Sequence, residues 1–332
     1  MKDFCIVGSG IAGSVVAKEL AKKYSVEIFD KARGPGGRSS NRRYKDTLSF
    51  DHGLQYISPV SNEFKKFIQN LEKKRIVKRW ERNHLDFTFQ KKPPSIKYIG
   101  VKGNNDVCKY LIKNIKTNYL STITNVKFNS NYWVITINKK KKVFFKNLIL
   151  TCPFPQLKKL SYKYLSKKIL NIKPQMTPNI TVMVVYRNYS QVPISSIKFN
   201  DSVIAWASQE NTKNRFKSQQ SLWTIQCTEK FSKKNINFIK KKKKKYEQLI
   251  LKKFEVLTGY QTKKIIFQNI HGWKYAYRKI ETSNLRSLWL KKYQLGVCGD
   301  WFSGDKAEHA WLSANNLFLK VKKNPPKNIK RV

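Results

Sequence analysis

Glycines and carboxylates at fixed spacing are the first groups in this chain able to do chemistry. Gly8-Ser9-Gly10-Ile11-Ala12-Gly13 follows the short apolar stretch 4–7. Asp30 stands 20 residues after Gly10, at the end of Val26-Glu27-Ile28-Phe29. This spacing is that of a dinucleotide cradle. Gly8 makes the tight turn, and Gly10, lacking a Cβ, lets the backbone approach a pyrophosphate. Gly13, with Ala17 one turn on, lets a helix lie close to the strand. The pyrophosphate then meets the free N–H groups at the helix N-terminus. The Asp30 carboxylate accepts ribose hydroxyls and repels a 2′-phosphate. A purely structural glycine turn is the alternative, but strand, helix and acid stand together in the order a dinucleotide needs. Arg33-Gly34-Pro35-Gly36-Gly37-Arg38 adds a second tight loop with two phosphate-pairing cations.

Hydrophobic periodicity supplies the elements that position these groups. Ile11, Val15, Val16 and Leu20 share one helical face, with Lys18, Glu19, Lys22 and Lys23 opposite. Residues 62–74 form a second amphipathic helix striped by Phe64, Phe67, Ile68 and Leu71. Strands are expected at 77–80 and 85–89, with a turn at Pro93-Pro94. A helix at 107–115 precedes a meander of strands at 121–129, 132–138 and 142–145. One more buried strand, 147–151, leads to the proline-rich crossing Cys152-Pro153-Phe154-Pro155-Gln156. Strands follow at 178–186, 203–207 and 222–227, then a helix at 246–257. Trp273 and Tyr275 alternate along a strand and so are expected on one face. They read either as walls of an aromatic site or as core. Leu295-Gly296-Val297-Cys298 is a buried strand ending in Gly299-Asp300-Trp301, with a helix opening at 308–314 and a frayed tail from 322.

The 332 residues, 40% of them hydrophobic, suffice for two domains with a large core. Formal charge is +48, from 68 Lys+Arg against 20 Asp+Glu. Such a charge attracts anionic ligands. Lysine, asparagine and isoleucine are spread along the whole chain, which reads as a compositional bias. No helix-turn-helix, zinc-finger or RNP-type motif is present, so no specific nucleic-acid partner is expected. The six lysines at 240–245 read as solvated surface, with an anionic-lipid or nucleic-acid contact as the alternative. Five cysteines without CxxC spacing read as small apolar residues in a reducing compartment. Four histidines show no metal-ligand spacing, and no metal is expected. No signal peptide is read before the first strand, and no apolar run has the length of a transmembrane segment. The expectation is a soluble, cytoplasmic protein.

The arginine–glycine loop after an acidic strand end resembles that of FAD-dependent oxidoreductases of the flavin amine oxidase superfamily. Ser49-Phe50-Asp51-His52-Gly53-Leu54-Gln55-Tyr56 is similar to a segment of its renalase-like members, with Leu54 and Ile57 as departures. Tyr98–Asn105 departs at Lys102 and Asn104. The stretches 205–213 and 221–226 also resemble that branch, with Gln226 in place of a histidine. His271-Gly272-Trp273-Lys274-Tyr275-Ala276 lacks both usual arginines, and residues 298–314 match closely apart from Ala314. The resemblance implies an α/β, two-domain fold of the glutathione-reductase/PHBH-like type. Its Rossmann-like FAD-binding domain comprises 1–60, 100–160 and 270–332. Its mixed-sheet substrate domain comprises 61–99 and 161–269.

The resemblance also implies a set of cofactor contacts. Gly8, Gly10, Ile11, Ala12 and Gly13 hold the diphosphate together with Arg33, Asp30 lies at the adenosine ribose, and Lys31 is a further cofactor contact. The backbone of Val126 meets the adenine. Gly37 and Arg38 lie near the flavin, and His52, Gly53, Gln55 and Tyr56 lie against the isoalloxazine. Gly299 and Asp300 hold the ribitol. The helix start at Ala310, with the amides of Trp311 and Leu312, stabilises charge on the reduced pyrimidine. Trp273, Tyr275 and His52 are the candidate catalytic, substrate-facing residues. FAD is expected to be non-covalent. The implied activity is hydride transfer from a reduced small molecule to flavin N5, with O2 reoxidising the flavin and forming H2O2. For the renalase-like branch the substrates are dihydronicotinamide isomers of NAD(P)H. The alternatives are an amine oxidase or a desaturase acting on an apolar polyene, with Trp206 and Trp223 as further cage candidates, and a non-catalytic basic flavoprotein that binds nucleic acid or membrane.

Overall fold

The computed structural model describes residues 1–45, 48–80, 83–88, 96–172, 174–187, 194–278 and 285–326. The expected turn at Pro93-Pro94, the end of the strand expected at 85–89 and the last residues of the tail lie outside these. The architecture is α/β, and the described residues form two large sheets and two small two-stranded ones. In the first, Lys2–Val7 is central, parallel to Val26–Phe29 on one side and to Lys141–Leu150 on the other. Lys116–Asn118 and Leu295–Val297 extend it in parallel, and Leu288–Leu290 closes one edge antiparallel. This buried parallel sheet explains the unbroken apolar runs of its strands.

Helices Ile11–Leu20 and Ala307–Lys323 pack together on one face, where Val16, Ala17, Ala314 and Leu317 are fully buried. The helix Asn62–Lys73 joins the same core through Phe64, Ile68 and Leu71. The other face is covered by the hairpin of Ile123–Asn129 and Tyr132–Ile137 and by helix Phe154–Ser161. The strands expected separately at 142–145 and 147–151 are one strand, Lys141–Leu150. Phe145 shows why: it pairs antiparallel with Trp133 and parallel with Lys2. The helix expected at 107–115 is shorter, Asp106–Leu111.

The second sheet runs in the order Ile265–Arg278, Met176–Tyr186, Ser221–Cys227, Ile204–Gln209, Ile194–Lys198 and Asn83–Leu85. All its pairs are antiparallel except the last. One face is covered by helices Glu229–Asn235 and Lys243–Thr258 around Trp223, Ile225 and Phe254. Gly272 belongs to that face, and a Cβ there would lie 2.5 Å from Ile239. The other face receives the hairpin of Asn41–Lys45 and Leu48–Asp51 through Phe50. Ile265–Arg278 pairs with Met176–Tyr186 along its length, so the boundary expected at 270 falls inside a strand of the second sheet. No described helix is long and apolar enough to cross a membrane.

Candidate functional site

The glycine loop is built as its spacing demands. Gly8 has φ +107°, and a Cβ on Gly13 would stand 2.0 Å from the Gly8 carbonyl oxygen. Gly10 caps helix Ile11–Leu20 without a side-chain acceptor, so the first-turn N–H groups stay available at the positive helix end. Asp30 takes the amide and hydroxyl of Ser9 on Oδ2, at 2.7 and 2.6 Å, and the amide of Ala32 on Oδ1. A carboxylate offers about four acceptor sites, so Asp30 keeps one for an outside hydroxyl rather than two. Gly36 and Gly37 have positive φ, and the Gly36 amide donates to the Ser9 carbonyl, laying the second loop on the first. Lys31 and Arg33 are exposed. Val126 is buried on the hairpin and pairs with Ile135. None of Lys31, Arg33 and Val126 belongs to the wall of the cavity described next.

A cavity of about 560 Å3 runs from Ile11 and Ala12 to the second sheet. Arg38 and Asp300 form an ion pair on its wall, and Arg38 also donates to the Ala276 carbonyl at 3.0 Å. Gly299 lies beside them, its amide held by the Ser313 hydroxyl. The C-terminal helix opens at Ala307, one residue before the expected start, and Ala307, Glu308 and Ala310 reach the cavity. This corrects the role expected for Trp311 and Leu312. Their amides lie beyond the first turn, where a helix satisfies its own N–H groups, and the free ones belong to Ala307 and Glu308. The Trp311 ring packs instead on Phe64 and Phe67. Glu308 accepts the amides of Val60 and Ser61 at 2.8 and 2.7 Å, which anchors the start of helix Asn62–Lys73.

Residues 52–54 run on from strand Leu48–Asp51 without a partner strand, and each carbonyl from Asp51 to Leu54 is capped by a side chain. Asp51 O accepts from Gln55, His52 O from Trp273, Gly53 O from Gln226 and Leu54 O from Asn104. Asn104 and Gln226 are two of the residues at which the sequence departs from the family it resembles. Gly53, Gln55 and Tyr56 line the cavity. His52 does not; its ring packs against His271 and Trp273 with centroids 4.9 and 5.1 Å away. Burial, then His271 and Arg42, lower the His52 pKa to about 3. Burial, then Arg42 and Lys240, lower that of His271 to about 4.

The far wall consists of Asn179, Trp206, Gln226, Trp273 and Tyr277. Tyr275 is not on it. The pairing skips from Asn179–Trp273 to Thr177–Tyr277, so an irregularity of the strand breaks the expected alternation. Trp223 is fully buried against Phe254 and Tyr260 on the helix-covered face. Behind the wall lies a group the sequence reading missed: Asp51, Glu210, Lys213 and Arg215, with side chains at most 2% exposed. The signal for it was an acid and two bases within the short stretch 210–215, next to apolar strands, in a chain with few acids.

Residues 6–71 match the family model for an NAD(P)-binding Rossmann-like domain. An uncharacterised protein of Methanocaldococcus jannaschii is 26% identical over 180 residues, covering 46% of this chain and 48% of that protein. The chain therefore spans about half the length of this curated relative. An Exiguobacterium sp. structure provisionally named a protoporphyrinogen oxidase superposes with TM-score 0.78 at 11% identity, covering 97% of this chain and 99% of that one. A putrescine oxidase triple mutant, from a redesign of cofactor binding, gives TM-score 0.72 at 10% identity over 97% and 99%. At such identities the likeness is one of fold: this chain shares its α/β fold, with its two large sheets, with these two structures.

Proposed function

We propose that this protein is an FAD-dependent oxidoreductase of renalase type. The observation that carries the reading is the cavity, which joins an uncapped glycine-loop helix to a largely neutral wall on the second sheet. The chain's residues fit the cofactor. The cradle at Gly8 and Gly13 excludes a Cβ, Asp30 has one acceptor site left for a ribose hydroxyl, and the amides of Ala12 and Gly13 at the helix start are available to a diphosphate. Arg38 and Asp300 would serve the ribitol and the ring edge, and Gly53–Tyr56 would lie against the ring. When bound, FAD supplies a hydride acceptor at N5 and passes the electrons to O2, giving H2O2.

The far wall favours a substrate that needs no strong base. Asn179 and Gln226 are carboxamides, and Trp206, Trp273 and Tyr277 are aromatic. Both nearby histidines lie off the cavity wall and are weak bases in this setting. A dihydronicotinamide isomer becomes an aromatic pyridinium on losing hydride, so the product itself drives the reaction. The chain's positive charge favours its phosphates. A second reading, amine oxidation, draws on Trp206 and Trp273, which both stand on the wall.

Anaerobic stopped-flow on the FAD-loaded protein separates the readings. We expect rapid flavin bleaching by 2- and 6-dihydro-NAD isomers, then peroxide on admitting air. Bleaching by simple amines alone would move the function to amine oxidation. Failure of the protein to take up FAD would overturn both.

A further inference from the structure

Four ionisable side chains meet where the two sheets join. The Lys213 ammonium lies 2.9 Å from Asp51 Oδ2 and 2.9 Å from Glu210 Oε2. Arg215 pairs with the same Asp51 oxygen. Thr224 donates to Glu210 at 2.7 Å, and the Asn104 amide donates to Asp51 Oδ1 at 3.0 Å. Buried charges are tolerated only when paired and hydrogen-bonded, and replacing them by apolar side chains often costs nothing. Stability alone is therefore a poor reason for placing this group here.

Its connections point elsewhere. The Lys213 ammonium also reaches Gln55 Oε1 at 3.3 Å, where Ser208 donates at 3.0 Å. Gln55 lines the cavity, and its Nε2 donates to the carbonyls of Asp51 and Gly53. Arg215 donates to Asn104 Oδ1, and Asn104 Nδ2 holds the Leu54 carbonyl at 2.7 Å. Three of the four capped carbonyls at 51–54 thus hang on the charged group through Gln55 or Asn104. Lys213 itself comes from the second sheet's side, on the turn Glu210–Lys213 that follows Ile204–Gln209.

We propose that Lys213, acting through Gln55, is a positioning residue that fixes the cavity wall at 53–56 against the cofactor ring. The proposal rests on the flavin reading, which it deepens. Lys213 touches no reacting atom; it holds the segment that does the contacting. Loss of the link lets the wall relax, which weakens FAD binding and changes the environment of the bound ring.

Two variants test this. Lys213→Met combined with Glu210→Gln removes one charge of each sign and leaves Asp51 and Arg215 paired. Gln55→Met cuts the link and leaves all four charges in place. In both we expect FAD affinity to fall roughly tenfold to a hundredfold and the visible absorption of the bound flavin to shift. In the cofactor-free protein we expect faster hydrogen exchange at the Leu54 amide, which donates to Arg38 O at 2.8 Å, with the central strand Lys2–Val7 unchanged. A role confined to stability would lower Tm without moving the spectrum of bound flavin or the selective exchange at Leu54. Wild-type affinity, spectrum and exchange in the Gln55 variant would overturn the proposal. If the wild-type protein takes up no FAD the flavin reading falls by itself, and exchange at Leu54 still reports whether Lys213 holds the wall.

Discussion

His52 is buried and His271 half-buried, and both are held neutral, which couples folding to pH at the scale of single residues. Their folded pKa values, about 3 and about 4, lie below the ordinary 6.5. Between these values the unfolded chain binds more protons, so stability is fully present above about pH 6.5 and is lost as pH falls. The slope is up to about 1.4 kcal/mol per pH unit for each histidine. We expect Tm to drop between pH 7 and pH 4.5, and His52→Gln to flatten that drop; parallel profiles by calorimetry would contradict this. The glycines give a second test. Gly13→Ala sets a methyl 2.0 Å from Gly8 O, against backbone that cannot yield cheaply. A loss of about 1–3 kcal/mol in urea unfolding is expected, together with loss of FAD uptake. Gly8 and Gly13 were legible because backbone geometry fixes their types, and Asp30 because an acid at the end of its strand closes on the glycine loop through Ser9. Asn104 and Gln226 were not, because a side chain that caps a distant carbonyl leaves no periodic mark, and neither was Lys213, whose partners Asp51 and Gln55 lie far away in sequence.

At the scale of elements, hydrophobic period located most helices and strands, and pairing corrected the rest. A strand that is antiparallel to a hairpin at one end and parallel to the central strand at the other reads as two short runs, as 142–151 did. The bulged end of Ile265–Arg278 replaced Tyr275 by Tyr277 on the cavity wall, and no local composition announces such a shift. The junction of helices Asn62–Lys73 and Ala307–Lys323 combines the packing of Trp311 on Phe64 and Phe67 with one acid, Glu308. Its buried carboxylate accepts two amides, and the donors at Val60 and Ser61 hold its pKa below the ordinary glutamate value against the opposing effect of burial. Glu308→Ala leaves those amides unmet and should cost about 1–3 kcal/mol. Faster hydrogen exchange at Val60 and Ser61, with the second sheet unaffected, would locate the loss there.

For the whole molecule, the excess of lysine is a cost as well as a field. A formal charge of +48 repels itself in the compact state. Added salt screens the repulsion between charges more than about 10 Å apart at 0.1 M. Thermal scans should therefore show Tm rising from 20 to 300 mM NaCl at constant pH; a flat or falling Tm would mean that local ion pairs outweigh the net charge. Composition told little about function because the lysines are spread over the chain. The fold class was legible from the two ends, which both return to one parallel sheet. The join between the sheets was not, since it is made by contacts more than 100 residues apart, such as Gln55 with Lys213 and Asn104 with Arg215.

The capped carbonyls at 51–54 bear on how this protein can change over generations. Trp273 and Gln226 belong to the far wall and also grip the segment beside the proposed ring. A substitution selected to admit a new substrate at either position would disturb the cofactor's setting in the same step. Specificity and cofactor tuning are therefore not separate traits at these two sites. Drift in substrate preference has its freest route through Trp206 and Tyr277, which line the cavity and cap none of these carbonyls.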